Sequence, residues 1–316
     1  MKKNIIETIN NVKNISKLVK INILVIGGGG MKGLEYIGAL KYFDELNILK
    51  NIKEYYGCSI GSYLNLLLIL NYSIDDIINF VINFDFSIIV DTFNMFNNYG
   101  FGKSDMFINI IKNKIKIKNY DSDITFKELY DITNINFNVI GYNITKKNKV
   151  IINHLSYPNM KIWEGVYLSC AMPILFKPLL YENEYYCDGG TSDNCPINII
   201  PLDKQKNTIC ISSNIFDYGI QIDPFIKNKT FNNFFTYIYE VFYLYCDKEK
   251  YKRENYKNVI WLESNDKFSM VKFHHNKDDK IVLIRKGYIL CKKKILNVLN
   301  YLIKLETSKN TKIELN

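Results

Sequence analysis

The chain has only six prolines, three histidines and two tryptophans among its 316 residues. With sixteen glycines beside them, it is too poor in turn residues for a linker-rich protein. No apolar run reaches the roughly 18 residues of a membrane span. The opening Met1-Lys2-Lys3-Asn4-Ile5-Ile6-Glu7 lacks the apolar stretch of a signal peptide. The seven cysteines (Cys58, Cys170, Cys187, Cys195, Cys210, Cys246 and Cys291) are odd in number and form no C-x-x-C pair. That pattern excludes a zinc ribbon and a dithiol redox centre and fits a reducing compartment. The expectation is a soluble, intracellular (cytoplasmic) protein.

What is present is an ordinary globular balance, 47% apolar and 23% charged. Asn and Ile are over-used in the manner of AT-rich coding, so single residues of either type carry little weight. Forty-one basic against 32 acidic residues give a net charge of +9, which favours anionic partners. The basic residues are scattered rather than blocked, so a solvated surface is the simpler explanation.

Asn22-Ile23-Leu24-Val25-Ile26 is a wholly apolar run stopping at glycine, as a buried parallel strand does. Periodicity predicts a helix over Met31 to Leu46, a second strand over Glu54 to Cys58 and an apolar helix over Tyr63 to Leu70. Further helices are expected over Ser73 to Phe84, Ser104 to Ile117, Thr125 to Tyr130, Met160 to Ala171, Phe231 to Tyr245 and Ile281 to Leu305. Further strands are expected over Phe137 to Ile144, Lys149 to Asn153, Thr208 to Ser212 and Val259 to Leu262. Strand and helix alternate without repeats or a composition break. The expected fold is α/β, a three-layer α/β/α arrangement around a central, mainly parallel sheet. An N-terminal helical extension over 1–20 precedes it, and the part from 216 to 316 is expected to pack on the same domain.

Two glycine-bearing turns carry the chemistry. Gly27-Gly28-Gly29-Gly30-Met31-Lys32-Gly33 lies between a strand and a helix. Adjacent glycines let backbone N–H groups converge on one point, and the following helix N-terminus adds positive dipole. Such a cradle suits a phosphate or a transient oxyanion. Its Gly28, Gly30 and Gly33 also satisfy G-x-G-x-x-G, with Glu54 near the position of a ribose-binding acid, so a dinucleotide-binding oxidoreductase is an alternative. Gly102-Lys103-Ser104 is no P-loop, because Asn97 stands where glycine is needed. The second turn, Gly57-Cys58-Ser59-Ile60-Gly61, is G-x-S-x-G between a strand and a helix, the pattern that lifts a serine hydroxyl clear of the backbone. On neighbouring parallel strands both turns reach one sheet edge.

A nucleophilic serine needs a base. His274 and His275 sit in the charged stretch Lys272-Phe273-His274-His275-Asn276-Lys277, which reads as a surface loop, and His154 closes a strand. Asp188, followed by Gly189 and Gly190, is the better candidate, since two glycines let it approach another turn unhindered. Asp-Gly-Gly is equally a common turn sequence.

Taken together, the glycine run with Lys32-Gly33, then Gly57-Cys58-Ser59-Ile60-Gly61, then Asp188-Gly189-Gly190 resembles the patatin-like phospholipase family. Thr125-Phe126-Lys127-Glu128-Leu129-Tyr130, Trp163-Glu164, Leu168-Ser169-Cys170-Ala171-Met172-Pro173 and Asn194-Cys195-Pro196 resemble its intervening segments. The resemblance spans roughly residues 22 to 200, within a catalytic domain over 21–215. Gly27 departs from it, standing where many members carry Asp, and Leu168-Ser169-Cys170 is a variant of the family block. It implies a Ser–Asp hydrolase of fatty-acyl esters, with Ser59 as nucleophile, Asp188 as base, and an oxyanion hole formed by Gly28, Gly29, Gly30, Lys32 and Gly33. It implies a phospholipid or neutral-lipid substrate, possible peripheral membrane contact, no nucleic-acid partner, and neither metal nor cofactor. A catalytically silent lipid-binding protein of the same fold is a further alternative. Phe231, Phe234, Phe235, Ile238, Phe242 and Tyr245 fall on one helical face, which suits either core packing or a lipid surface.

Overall fold

A computed structural model describes residues 12–89, 102–213, 256–262 and 273–313. The expected helix over Phe231 to Tyr245 lies outside the described residues. The helices are α1 (12–18), α2 (Gly33–Glu45), α3 (Ile60–Ile69), α4 (Ile74–Asn83), α5 (Ser104–Ile117), α6 (Phe126–Thr133), α7 (Ile162–Cys170) and α8 (Lys277–Ile313). The strands are β1 (Ile23–Ile26), β2 (Glu54–Cys58), β3 (Asn136–Asn143), β4 (Asn148–Ile152), β5 (Leu179–Tyr181), β6 (Glu184–Asp188), β7 (Thr208–Ser213) and β8 (Val259–Leu262).

The strands form one sheet in the order β5-β6-β3-β2-β1-β7-β8, with β4 also paired to β3. From β8 to β3 every pairing is parallel; β4 and β6 run antiparallel to β3. The mainly parallel α/β sheet expected from the sequence is therefore present. β1 is fully buried because both of its faces are covered. Leu24 and Ile26 enter the main core with the helices, while Ile23 and Val25 enter a second core with Ile197, Ile200 and Trp261. This alternation is the period-2 signature of a strand between two layers.

Local chemistry fixes several boundaries. Ser73 and Thr125 each cap a helix reciprocally with the residue three positions on, Asp76 and Glu128. Pro196 opens a short 3-10 helix over Pro196–Ile199. The helix expected from Met31 begins instead at Gly33, after a 3-10 turn over Gly30–Lys32. The one expected from Tyr63 begins at Ile60, directly after Ser59.

The hairpin of β5 and β6 was not foreseen. Its loop is Glu182-Asn183, with both residues at positive φ (48° and 62°), the conformation usually announced by Asn-Gly. Without that dipeptide the turn has no clear sequence signal, so Asp188 read as part of a free turn when it is the last residue of a strand.

Of the described residues beyond 215, Ile260, Leu262, Ile284, Cys291 and Ile295 are buried in the main core. α8 packs along α2, and Lys286 on α8 pairs with the fully buried Glu35 of α2 at 2.9 Å. Burial pushes the Glu35 carboxyl up, and Lys286 opposes that shift.

Candidate active site

The site is assembled along one strand. β3 pairs with β4 over Val139 to Asn143, so β2 and β6 must share its other edge. On that edge Cys58 of β2 faces Ile140, and Asp188 of antiparallel β6 faces Gly141, the next residue. The two strands thus converge end to end. Ser59 and Asp188, 129 positions apart in sequence, become neighbours, and the Ser59 hydroxyl donates to Asp188 Oδ2 at 2.6 Å.

Ser59 holds φ 52° and ψ −130°, a conformation that costs a non-glycine residue about 1–3 kcal/mol. Its surroundings enforce it. The Ser59 N–H donates to Ser169 Oγ at 2.9 Å, and the Ser169 hydroxyl donates to the Ile140 carbonyl at 2.6 Å. The flanking glycines are sterically required: a Cβ on Gly57 would lie 2.5 Å from Ser62 Cα, and one on Gly61 would lie 2.2 Å from the Ile26 carbonyl.

Asp188 is only 5% exposed. Burial raises its carboxyl pKa to about 7, against the opposing effects of the hydrogen bonds from Ser59 and from the Gly190 N–H, the latter at 2.7 Å. The buried Cys58 thiol lies 4.0 Å from Asp188 Oδ1, and its pKa is raised well above the ordinary thiol value, chiefly by burial.

The glycine loop stands beside the serine, since a Cβ on Gly28 would be 3.2 Å from Ser59 Cβ. Its N–H groups are not equivalent. Gly28 N–H donates to the Asn194 carbonyl at 2.8 Å and Lys32 N–H to Gly29 O at 2.9 Å, while Gly33 N–H is taken up by the 3-10 turn. Gly29 and Gly30 N–H make no hydrogen bond among the described residues. Gly30 has φ 51°, in the left-handed region where glycine is at ease. Of the five residues expected to form an oxyanion hole, the loop therefore leaves donors at two. Gly28, Lys32 and Gly33 are engaged in holding the loop.

Ser59, Asp188, Gly29, Gly30 and Gly190 line a pocket of about 1060 Å³, its open mouth included. The rest of the lining is largely apolar and includes six phenylalanines, Phe80, Phe84, Phe86, Phe107, Phe176 and Phe273. Lys280 of α8 secures one wall, donating to the Phe84 carbonyl at 2.6 Å with its ammonium 5.2 Å from the centre of the Phe86 ring. None of the three histidines is among the described residues lining the pocket. His154 stacks on Tyr130 with ring centres 3.7 Å apart, His274 is exposed, and His275 lies 3.9 Å from Asp279. No group of residues suited to a metal occurs among the described residues.

Glu54 bears on the dinucleotide alternative. It begins β2, about 16 Å from the glycine turns at that strand's other end, and it bonds Tyr56 and Lys204 there. A ribose-binding acid belongs at the end of the strand near the glycine loop.

Sequence reasoning missed Tyr36, whose hydroxyl reaches the glycine loop, and the phenylalanine wall. Ser169 and Asn194, which lie in the segments resembling the family, hydrogen-bond to Ser59 and Gly28 and so give those segments a physical content.

The comparisons with known proteins put this α/β chain in the class of patatin-like lipid hydrolases. The patatin-like phospholipase family matches residues 24–200, and the chain belongs to that family. A probable lipid hydrolase of Invertebrate iridescent virus 6 is 31% identical over 191 residues, which cover 58% of this chain and 65% of that protein. An uncharacterized protein of Acanthamoeba polyphaga mimivirus is 26% identical over 89% of this chain and 96% of its own length. In structure, VipD from Legionella pneumophila shares the fold with a TM-score of 0.61 at 16% identity, over 89% of this chain and 67% of VipD. Among the described residues no helix is long and apolar enough to cross a membrane.

Proposed function

We propose that the protein hydrolyses fatty-acyl esters of phospholipid or neutral lipid through an acyl-enzyme on Ser59. The observation that carries this reading is the 2.6 Å hydrogen bond from the Ser59 hydroxyl to a buried carboxylate, both residues lining an apolar pocket. Asp188 takes the serine proton as Oγ attacks the ester carbonyl carbon. Its pKa of about 7 suits a base that must accept a proton and later return it to the leaving alkoxide. The carbonyl oxygen becomes an oxyanion stabilised by the N–H groups of Gly29 and Gly30, a contribution of about 3–4 kcal/mol for one well-placed donor. Water then attacks the acyl carbon, with Asp188 again as base, and the fatty acid leaves. The phenylalanine-lined pocket holds the acyl chain by burying apolar surface. The net charge of +9 favours contact with an anionic lipid surface, and the protein works in a reducing compartment where its cysteines stay as thiols.

The test is labelling of the purified chain with an alkyl fluorophosphonate, followed by mapping of the adduct and a fatty-acid release assay on mixed lipid vesicles. The adduct is expected on Ser59, with loss of fatty-acid release in proportion to labelling. An unlabelled chain, or an adduct elsewhere with release unaffected, rejects the reading.

A further inference from the structure

In the glycine loop, the carbonyl of Gly28 is held by two side chains from distant parts of the chain. It accepts from the Tyr36 hydroxyl at 2.7 Å and from Asn194 Nδ2 at 3.1 Å. The N–H of the same residue donates to the Asn194 backbone oxygen at 2.8 Å. Three distant parts of the chain meet here: α2, the segment before Pro196, and the end of β7. Glycine at 28 is what admits the amide, since a Cβ there would fall 2.3 Å from Asn194 Oδ1.

Tyr36 is 0% exposed, and its hydroxyl is itself oriented. The Ser213 N–H donates to it at 2.8 Å, which leaves the single phenolic proton to be given away. The Gly28 oxygen at 2.7 Å is a nearer acceptor than Ser213 Oγ at 2.9 Å. Burial raises the Tyr36 pKa, so the phenol keeps its proton across the working pH range.

The consequence follows from peptide geometry. A trans peptide unit is planar, so the Gly28 C=O and the Gly29 N–H point in opposite directions. Two donors that hold the carbonyl towards Tyr36 and Asn194 therefore aim the Gly29 N–H the other way. That N–H has no partner among the described residues, and Gly29 lines the pocket with Ser59. We infer that Tyr36 and Asn194 are positioning residues for ester hydrolysis, fixing through the Gly28 carbonyl the direction in which Gly29 N–H meets the developing oxyanion. The inference rests on the reaction proposed above. A donor held in place beforehand is worth most when charge builds on the oxygen, so its misalignment acts on turnover rather than on substrate binding.

The experiment compares the full chain with its Tyr36→Phe and Asn194→Leu variants. Tyr36→Phe keeps the ring packing and removes the donor; Asn194→Leu keeps the branched side-chain shape and removes the amide. Each is assayed on a p-nitrophenyl fatty-acyl ester, and against an alkyl trifluoromethyl ketone. In the ketone complex Ser59 Oγ bonds to the carbonyl carbon, its proton passes to Asp188, and the ketone oxygen is left as the oxyanion. The expected result is a fall in kcat of about tenfold or more, with KM within about twofold. The ketone inhibition constant should rise by the same factor, and the midpoint of the pH profile should stay where it is. A folded variant with kcat within twofold of wild type overturns the inference. So does a loss of kcat that leaves ketone affinity unchanged, because a merely structural role would do that. Should one variant fail to fold, the other decides. Wild-type protein that neither turns over the ester nor binds the ketone rejects the hydrolase reading itself, a result distinct from unaffected variants of an active enzyme.

Discussion

Asp188 and Ser59 meet because β6 and β2 approach each other head-on along one edge of β3, with Asp188 opposite Gly141 and Cys58 opposite Ile140. The 2.6 Å hydrogen bond between them is thus a product of strand register, and each partner leaves its strand at the point of contact. Register also explains the burial of Asp188, whose carboxylate is enclosed by the elbow it serves.

That burial makes Asp188 expensive to the fold, so Asp188→Asn should lose activity and gain stability. Its folded pKa of about 7 lies above the ordinary value of 3.8. Between those values the folded state holds a proton that the unfolded state has released, so stability falls as pH rises. The Tm advantage of Asp188→Asn should be absent near pH 4, grow towards pH 7 and level off above it. Its ceiling is on the order of 4 kcal/mol. A Tm difference that is flat with pH, measured by calorimetry, contradicts the assignment. Activity of the wild type should rise through the same midpoint, because only the carboxylate accepts the serine proton.

Ser59→Gly should likewise abolish turnover while stabilising the chain. Glycine accepts φ 52° and ψ −130° without strain, and relief of about 1 kcal/mol is expected after the entropy cost of glycine in the unfolded chain. Ser59→Ala removes the hydroxyl but keeps the strain, so its stability should stay within about 1 kcal/mol of wild type. A denaturant midpoint higher in Ser59→Ala than in Ser59→Gly would show that the elbow stores no strain.

A midpoint near 7 resembles that of a histidine, so the two bases must be told apart. Replacing His154, His274 and His275 together should leave most of the turnover and the same acid limb. None of the three is among the described residues lining the pocket with Ser59. The temperature dependence of the midpoint gives a second discrimination, because carboxyl ionisation has almost no enthalpy and imidazole ionisation has a large one. A midpoint that falls steeply on warming, or that disappears with one histidine, would assign the proton transfer to imidazole.

The parts of this site that were legible in the sequence are those where chemistry forces a residue type. Gly57 and Gly61 stand where a Cβ would strike backbone, and Gly30 where φ is positive, so the elbow and the loop could be read as glycine patterns. The apolar run of β1 announced a strand buried on both faces. Residues acting through side chains at long range gave no such signal. Tyr36 lies one helical turn into α2 among other buried apolar residues, and nothing in its neighbours distinguishes a hydroxyl that reaches Gly28 from one that does not. Phe80 and Phe84 fall within the helix expected over Ser73 to Phe84, and nothing in that periodicity marks them as lining the pocket. The hairpin that delivers Asp188 was hidden for a different reason, its Glu182-Asn183 loop lacking the usual glycine.

Ser169 joins these effects in a last test. Its hydroxyl accepts from the Ser59 N–H and donates to the Ile140 carbonyl, tying the elbow to the β3 residue that faces Cys58. Ser169 is 0% exposed, so Ser169→Ala deprives two groups of a partner that water cannot readily replace. The expected cost is about 1–3 kcal/mol in denaturant unfolding. If the bond serves to hold Ser59 in its strained conformation, the cost depends on that strain. Introduced into Ser59→Gly, the same substitution should cost less than in wild type, because glycine holds the conformation without help. A double-mutant cycle measures the difference, and a coupling of at least about 0.5 kcal/mol is expected for residues in direct contact. In activity, Ser169→Ala should lower kcat in the otherwise intact enzyme, since a relaxed elbow draws Ser59 Oγ away from Asp188. Additive stabilities together with unchanged kcat would mean that Ser169 is ordinary core packing and that the elbow is held by its glycines alone.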